Sequence, residues 1–408
     1  MTTGTVYVTG MGAVSCLATG VRPFWDALCA GRCGLRPITR FDLEKSPYTI
    51  SGQVEGFTIA PFEECGLSAG GQFASAASEM ALADFPNDRL ASVAVVLATN
   101  FGPAELFERE LSLTPAARSE LAYSLGRGFF AEDARRVADR LGAGGALLSI
   151  SLSCASGSAA IAYALDLIRS GRAVAALACG YDSIQRVSWA GLAALRVMAL
   201  PSNGSPATVR PFDVDRAGTI FSEGAGCLLL ESERSVAERG ATPLAEAAGG
   251  GANNNAHHMT HADKEGAGTA AVARMALADA DVEPDAVDLI YAHATGTELN
   301  DAIEARAFHQ VFGGRAAQIP VVGIKGAIGH AMGAASSLEA VAAVMSLREG
   351  KVPPTVGLRK LDPECALDVV HGEPRSVSVR TVLCNSAGIG GANAAVVLRS
   401  ASAPAALP

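Results

Sequence analysis

Leu148-Ser149-Ile150-Ser151-Leu152-Ser153-Cys154-Ala155-Ser156-Gly157-Ser158 decides the fold. Its first half is an apolar run of strand character, and it breaks into small residues at a cysteine. An Ala-rich helical stretch, Ala159 to Arg169, follows. The grammar is strand, tight elbow, helix, with a thiol at the elbow. Unpaired N–H groups and the dipole at a helix N-terminus favour thiolate over thiol, so Cys154 is a candidate nucleophile.

The same grammar recurs later in the chain. Val321–Lys325 leads through Gly326–His330 into a second small-residue helix, which stops at Arg348-Glu349-Gly350-Lys351. The first unit stops in the same way, at Arg169-Ser170-Gly171-Arg172. Two similar halves are therefore expected, residues 1–239 and 240–408, with one site between them. The first half carries the cysteine, and the second carries two histidines of interest.

Strand-like runs alternate with helical runs throughout, which predicts an α/β fold. The expected strands are Thr5–Thr9, Ser92–Ala98, Leu147–Leu152, Val174–Ala178, Cys227–Leu230, Leu289–Ala292, Val321–Ile324, Val379–Cys384 and Ala394–Leu398. Most are continuous apolar runs, as both faces of a covered sheet require. Residues 103–141 are charge-rich and helical in pattern, and read as a solvated cap insertion. The tail from Ala401 reads as disordered.

Composition narrows the function classes. The 408 residues are 49% hydrophobic and 18% charged, which excludes a disordered chain. A net charge of −9 argues against a nucleic-acid binder. Nine cysteines without a CxxC read as thiols of a reducing compartment, and eight of them read as buried filler. Residues 141–165 lack charge, yet five serines and four glycines interrupt them, so no membrane span is expected. No basic leader opens the chain, and a cytoplasmic location follows.

Three further segments carry chemistry. Ala292-His293-Ala294-Thr295-Gly296-Thr297 ends a strand in a histidine. Gly323-Ile324-Lys325 ends another in a lysine, with Gly329-His330 close behind. Asn385-Ser386-Ala387-Gly388-Ile389-Gly390-Gly391 is a glycine-rich turn between strands. A thiolate can hold an acyl group. Two imidazoles can stabilise an enolate, and backbone N–H groups at the cysteine and in the turn can form an oxyanion hole. His257 and His261 are four apart, but nothing completes a metal site. The Asp213-Val214-Asp215 stretch reads as a structural turn with Arg216 on the surface. His309 and His371 read as structural.

Taken in order, these motifs resemble the elongating β-ketoacyl-acyl carrier protein synthases of the thiolase superfamily. The likeness runs from Val6-Tyr7-Val8-Thr9-Gly10 to about Leu398. It includes Ser153-Cys154-Ala155-Ser156-Gly157, Arg210-Pro211-Phe212-Asp213 and Ser222-Glu223-Gly224-Ala225-Gly226. The resemblance implies a duplicated αβαβα layered fold with mixed sheets. It implies Cys154 as nucleophile, His293 and His330 at the malonyl thioester carbonyl, and Lys325 as their electrostatic support with Glu339 as its ion-pair partner. Thr295 and Thr297 would hold a phosphopantetheine arm, and the N–H groups of Cys154 and Ile389 would form the oxyanion hole.

The implied reaction is decarboxylative condensation to a 3-oxoacyl thioester, in fatty acid or in polyketide or polyene synthesis. No tightly bound cofactor is implied. The implied partners are an acyl carrier protein and a second subunit, either a homodimer copy or a chain-length-factor-like chain. A Cys-His acyltransferase or thioesterase, and a non-catalytic partner subunit, stand as rivals. One departure concerns the turn. The family places phenylalanines where Ala387 and Ile389 stand, the first near the reacting carboxylate and the second as an acyl gate. Their absence predicts a wider or differently gated pocket.

Overall fold

The computed structural model describes residues 4–401 apart from 44–45, 106–107, 109–129, 203–204 and 259–262. Much of the expected cap, the tail beyond residue 401, and Met259, Thr260 and His261 lie outside the described residues.

The first half holds five principal strands. They are β1 (Val6–Ser15), β2 (Val93–Ala98), β3 (Leu147–Ile150), β4 (Ala175–Asp182) and β5 (Gly224–Ser232). The second half holds β6 (Ala245–Asn254), β7 (Leu289–Tyr291), β8 (Pro320–Val322), β9 (Thr381–Ala387) and β10 (Ala392–Arg399). The first five lie in the order β3-β2-β4-β5-β1, and the second five in the order β8-β7-β9-β10-β6. The pairing senses also match. In each half the first three neighbours run parallel and the last two pairings are antiparallel. Tyr7 and Val8 of β1 pair with Glu246 and Ala245 of β6, so the two sets join at one edge into a single sheet. A two-residue strand, Asp368–Val369, extends β8.

Five helices complete the layers: α1 (Ala69–Ala81), α2 (Ser156–Arg169), α3 (Ala267–Asp279), α4 (Glu298–Phe312) and α5 (Ala335–Glu349). Helix α1 covers the outer face of the first sheet. Helices α3 and α4 share the outer core of the second. Between the sheets, α2 and α5 pack on one another and on strands of both halves. Every residue from Ala335 to Ser346 is buried, as a helix enclosed on all sides requires. The result is the α-β-α-β-α layering of a thiolase-like fold.

The expected strands appear with shifted ends, and one of the ten principal strands was not expected. Ala245–Asn254 contains Gly249-Gly250-Gly251 and no β-branched residue, so it carries little strand signal. A Cβ on Gly249 would sit 2.5 Å from the Ala280 nitrogen, and one on Gly250 would sit 2.7 Å from Ala162 Cβ. Helices crowd this strand on both faces, and glycine permits the approach.

Helix Phe130–Leu141 is the described remainder of the cap, and it is not wholly solvated. Asp133 is buried and accepts from Ser68 and Tyr181. Arg216 is also buried rather than on the surface. It donates to Thr297 O and Glu298 O and pairs with Asp362. Cys33 is exposed, contrary to a filler role. No helix among the described residues is long and apolar enough to cross a membrane.

Candidate active site

Cys154 follows β3, the third strand of its half, and lies two residues before α2. Lys325 and His330 follow β8, the third strand of the other half, and lead into α5. His293 follows β7. The two central helices start close together because their facing residues are small. A Cβ on Gly157 would lie 2.2 Å from Ser337 Oγ, and one on Gly226, on the strand β5 that packs against α5, would lie 2.6 Å from Leu338 N. The Ser158 N–H donates to Ser336 Oγ at 2.8 Å, which ties one helix start to the other. Small residues thus bring the cysteine elbow to the histidine elbow.

Each elbow is locally strained. Ser153, Ala294 and Met332 adopt positive φ without being glycine, at 51°, 44° and 51°. Ser153 and Ala294 adjoin Cys154 and His293, and Met332 lies two residues beyond His330. Such conformations persist only where surrounding structure holds them, and here hydrogen bonds do so. Ser156 Oγ accepts from Leu152 N–H at 2.8 Å and donates to Ser153 O at 2.6 Å. Glu304 accepts from the N–H groups of His293 and Ala294 at 2.7 and 2.8 Å.

Cys154, His293 and His330 line one cavity of about 410 Å³, together with Thr295, Thr297, Phe221, Ala387 and Ile389. The two imidazoles stand edge to face, with centroids 5.2 Å apart and planes at 85°. The Met332 N–H donates to His330 Nδ1 at 3.2 Å, which assigns the ring proton to Nε2. Among the described residues, His293 Nδ1 is buried without a partner. Burial, and then the Lys325 charge, hold both rings well below the usual histidine range. They are therefore neutral N–H donors at neutral pH.

Lys325 is fully buried and begins a short helix, Lys325–Ile328, rather than ending a strand. Its Nζ lies 2.5 Å from Glu339 Oε1. Burial raises the Glu339 carboxyl, against the Lys325 charge. Cys154 departs from the sequence expectation. Burial pushes its thiol up, while the Ser153 hydroxyl, the Lys325 charge and the Ile389 N–H oppose this. Burial therefore works against the helix start, which favours thiolate.

The Ile389 N–H is directed at that sulfur. It gets there because Gly388 packs flat against the elbow, where a Cβ would lie 3.0 Å from Cys154 N. Ala387 and Ile389 both face the cavity, and Ile389 is 39% exposed. The aromatic ring on the wall comes instead from Phe221, 5.5 Å from the His330 ring. Thr297 also caps α4, accepting from the Asn300 N–H at 3.3 Å, and its hydroxyl lies 3.0 Å from that of Thr295.

Sequence reasoning passed over Glu304, which also accepts from Asn385 Nδ2 at 3.1 Å. Burial raises its carboxyl to about 7. The signal was the pair Asp301 and Glu304, three apart on the inward face of α4. Asp182 was passed over too. It accepts from Thr99, Asn100, Phe101 and Gly333, and so ties β2 to the loop after His330. His257 and His258 are exposed.

Residues 3–235 match the family model for the β-ketoacyl synthase N-terminal domain, and residues 244–359 match that for the C-terminal domain. A 3-oxoacyl-[acyl-carrier-protein] synthase 2 of Synechocystis is 34% identical over 407 residues, 97% of each chain. A granaticin polyketide putative β-ketoacyl synthase 1 of Streptomyces violaceoruber is 35% identical over 414 residues, covering 96% of this chain and 97% of its own. The solved ishigamide ketosynthase/chain length factor superposes with a TM-score of 0.88 at 36% identity, over 98% of this chain and 100% of that one.

Proposed function

The chain belongs to the β-ketoacyl synthase family, and we propose that its cavity performs decarboxylative condensation through Cys154, His293 and His330. The observation that carries this is the shared cavity, in which one thiol faces two neutral, mutually perpendicular imidazoles.

In the first half-reaction the Cys154 sulfur attacks the carbonyl of an acyl-phosphopantetheine thioester. The oxyanion forms against the backbone N–H groups of Cys154 and Ile389. The C–S bond to the arm breaks, and the departing arm thiol carries away the proton that Cys154 brought. In the second, a malonyl thioester places its carbonyl oxygen at the imidazole N–H donors. The bond to the carboxylate breaks, CO2 leaves, and the electron pair passes into an enolate. Its carbon attacks the Cys154 thioester, and the cysteine leaves as thiolate and regains a proton from solvent. Neutral imidazoles suit this step because they donate without trapping the enolate as an enol. Burial and then the Lys325 charge keep them neutral, and Thr295 with Thr297 steady the arm.

The natural carrier of that arm is an acyl carrier protein, and a second subunit, identical or chain-length-factor-like, completes the assembly in the cytoplasm. With Ala387 and Ile389 at the turn, the pocket suits a bulky or unsaturated acyl chain of polyketide or polyene type. Mass spectrometry of the protein after acyl-pantetheine, and then after malonyl-pantetheine, tests the reading. An acyl adduct on Cys154 followed by a product two carbons longer is expected. Release of the free acid alone would favour the thioesterase.

A further inference from the structure

Asp182 ends β4, is fully buried, and has no part in the steps above. Its Oδ1 accepts from Thr99 Oγ1 at 2.6 Å and from the Phe101 N–H at 3.0 Å. Its Oδ2 accepts from the Asn100 N–H at 2.9 Å and from the Gly333 N–H at 2.7 Å. All four partners are neutral. We propose that Asp182 is a positioning residue: through Gly333 and Met332 it holds the His330 ring in the tautomer that donates from Nε2.

The route is short. The Met332 N–H donates to His330 Nδ1 at 3.2 Å, and the next N–H along the chain, that of Gly333, donates to Asp182. These two amides flank the Met332 Cα, whose φ is 51°. A residue with a side chain does not hold that torsion unaided. Peptide planes are stiff, so the torsions at this one Cα decide where both N–H groups point, and anchoring the second steadies the first. The contact is close. A Cβ on Gly333 would lie 2.7 Å from Asp182 Oδ2 and 2.9 Å from Asn100 N, so glycine is what lets the carboxylate reach the amide. The His330 backbone is held separately, by Ile220 O at 2.7 Å and by the Ser222 N–H at 2.9 Å. Those bonds root the ring but leave open which nitrogen carries its proton. The Met332 N–H decides that.

The consequence for chemistry rests on the condensation reading, in which the malonyl carbonyl oxygen needs an N–H at Nε2. With the proton on Nδ1 instead, Nε2 would turn a lone pair toward that oxygen. A carboxylate suits the anchoring role because it only accepts, with room for all four donors; an amide of the same shape would turn its own N–H groups on some of them. Burial raises the Asp182 carboxyl to about 6 against those donors, so it is ionised at a pH of about 8. The same charge helps raise the Cys154 thiol. That defines the rival route, in which Asp182 acts on the nucleophile and not on His330.

The test compares wild type, Asp182→Asn and Thr99→Val at about pH 8, with octanoyl-pantetheine as donor and malonyl-pantetheine as extender. A hydrogen bond to an ionised group corresponds to about 10- to 100-fold in an equilibrium constant, so kcat for condensation should fall at least about tenfold in Asp182→Asn. The malonyl KM and the rate of Cys154 acylation should each change less than about threefold. Thr99→Val keeps the carboxylate and its Gly333 bond, and should keep kcat within about threefold of wild type. Nitrogen-15 NMR of the histidine rings, assigned against His330→Ala, gives the direct readout. Wild-type His330 should show one protonated nitrogen, Nε2, and one bare nitrogen, Nδ1; in Asp182→Asn the proton should be shared between them. An unchanged tautomer, an unchanged kcat, an acylation rate that moves as much as condensation, or an equal loss in Thr99→Val overturns the role of Asp182. If Asp182→Asn does not fold, wild type decides: a His330 ring protonated on Nδ1, or a Gly333 amide that exchanges rapidly with solvent, overturns it. If wild type acylates but forms no two-carbon-longer product, the condensation reading fails, while the tautomer measurement still judges Asp182.

Discussion

Replacing Lys325 by methionine tests the electrostatic centre of the site. The ammonium is fully buried, and its partner Glu339 is almost so, at 2.5 Å. Removing one partner of such a pair leaves the other charge without compensation, at a cost of about 3–5 kcal/mol. The double variant Lys325→Met with Glu339→Leu leaves no orphaned charge and should cost less than the sum of the single changes. Urea unfolding followed by tryptophan fluorescence reads this, since Trp25 and Trp189 are both buried and report on separate clusters. Single variants that each cost under about 1 kcal/mol and add without coupling would refute the reasoning, for they would behave as exposed pairs do. Activity gives a second readout. The Lys325 charge helps depress both imidazoles. Without it their protonation moves up in pH, so the acid-side loss of condensation in Lys325→Met should begin at higher pH than in wild type.

Two further changes probe the surrounding support. Gly388→Ala would push a Cβ to 2.9 Å from Ser153 Cβ and 3.0 Å from Cys154 N, displacing the Ile389 N–H; loss of an oxyanion donor is worth about 100-fold or more, and the rate of acyl-enzyme formation by mass spectrometry should fall accordingly. Glu304→Gln addresses pH. The folded carboxyl lies at about 7, above its ordinary 4.5, so the folded state binds the proton more tightly. Between pH 4.5 and 7 this group lowers stability as pH rises, by at most about 3 kcal/mol. The glutamine variant should lose that part of the slope in urea midpoints measured across this range.

The sequence was most legible where chemistry and local structure share a short segment. Cys154, His293, Lys325 and His330 each follow a strand with small residues behind, and that pattern is written locally. Ala245–Asn254 was not legible, because its strand character comes from β1 and β10 beside it and from helices that exclude side chains. Arg216 and Glu304 were missed for the opposite reason. A charged residue reads as exposed until its partners are known, and those partners come from segments up to 146 residues away for Arg216. The helix start at Cys154 is visible in sequence, whereas the burial that pushes its thiol up is not.

The repeated strand order explains why one site arises from two copies of a unit. In each half the third strand turns into a central helix, and these helices meet at their N-terminal ends. One elbow supplies the thiol and the other supplies an imidazole, so neither half alone contains the chemistry. The loops after the second strands have diverged further. In the second half that loop bears His293. In the first it bears Thr99, Asn100 and Phe101, whose donors all converge on Asp182. Asp182 also receives the Gly333 N–H, three residues beyond His330. The first half's counterpart of the histidine loop thus braces the loop after His330 in the second half. That division accounts for four donors on one buried carboxylate. It also requires that the two halves stay rigidly apposed, since the brace and Cys154 belong to one half and the imidazoles to the other.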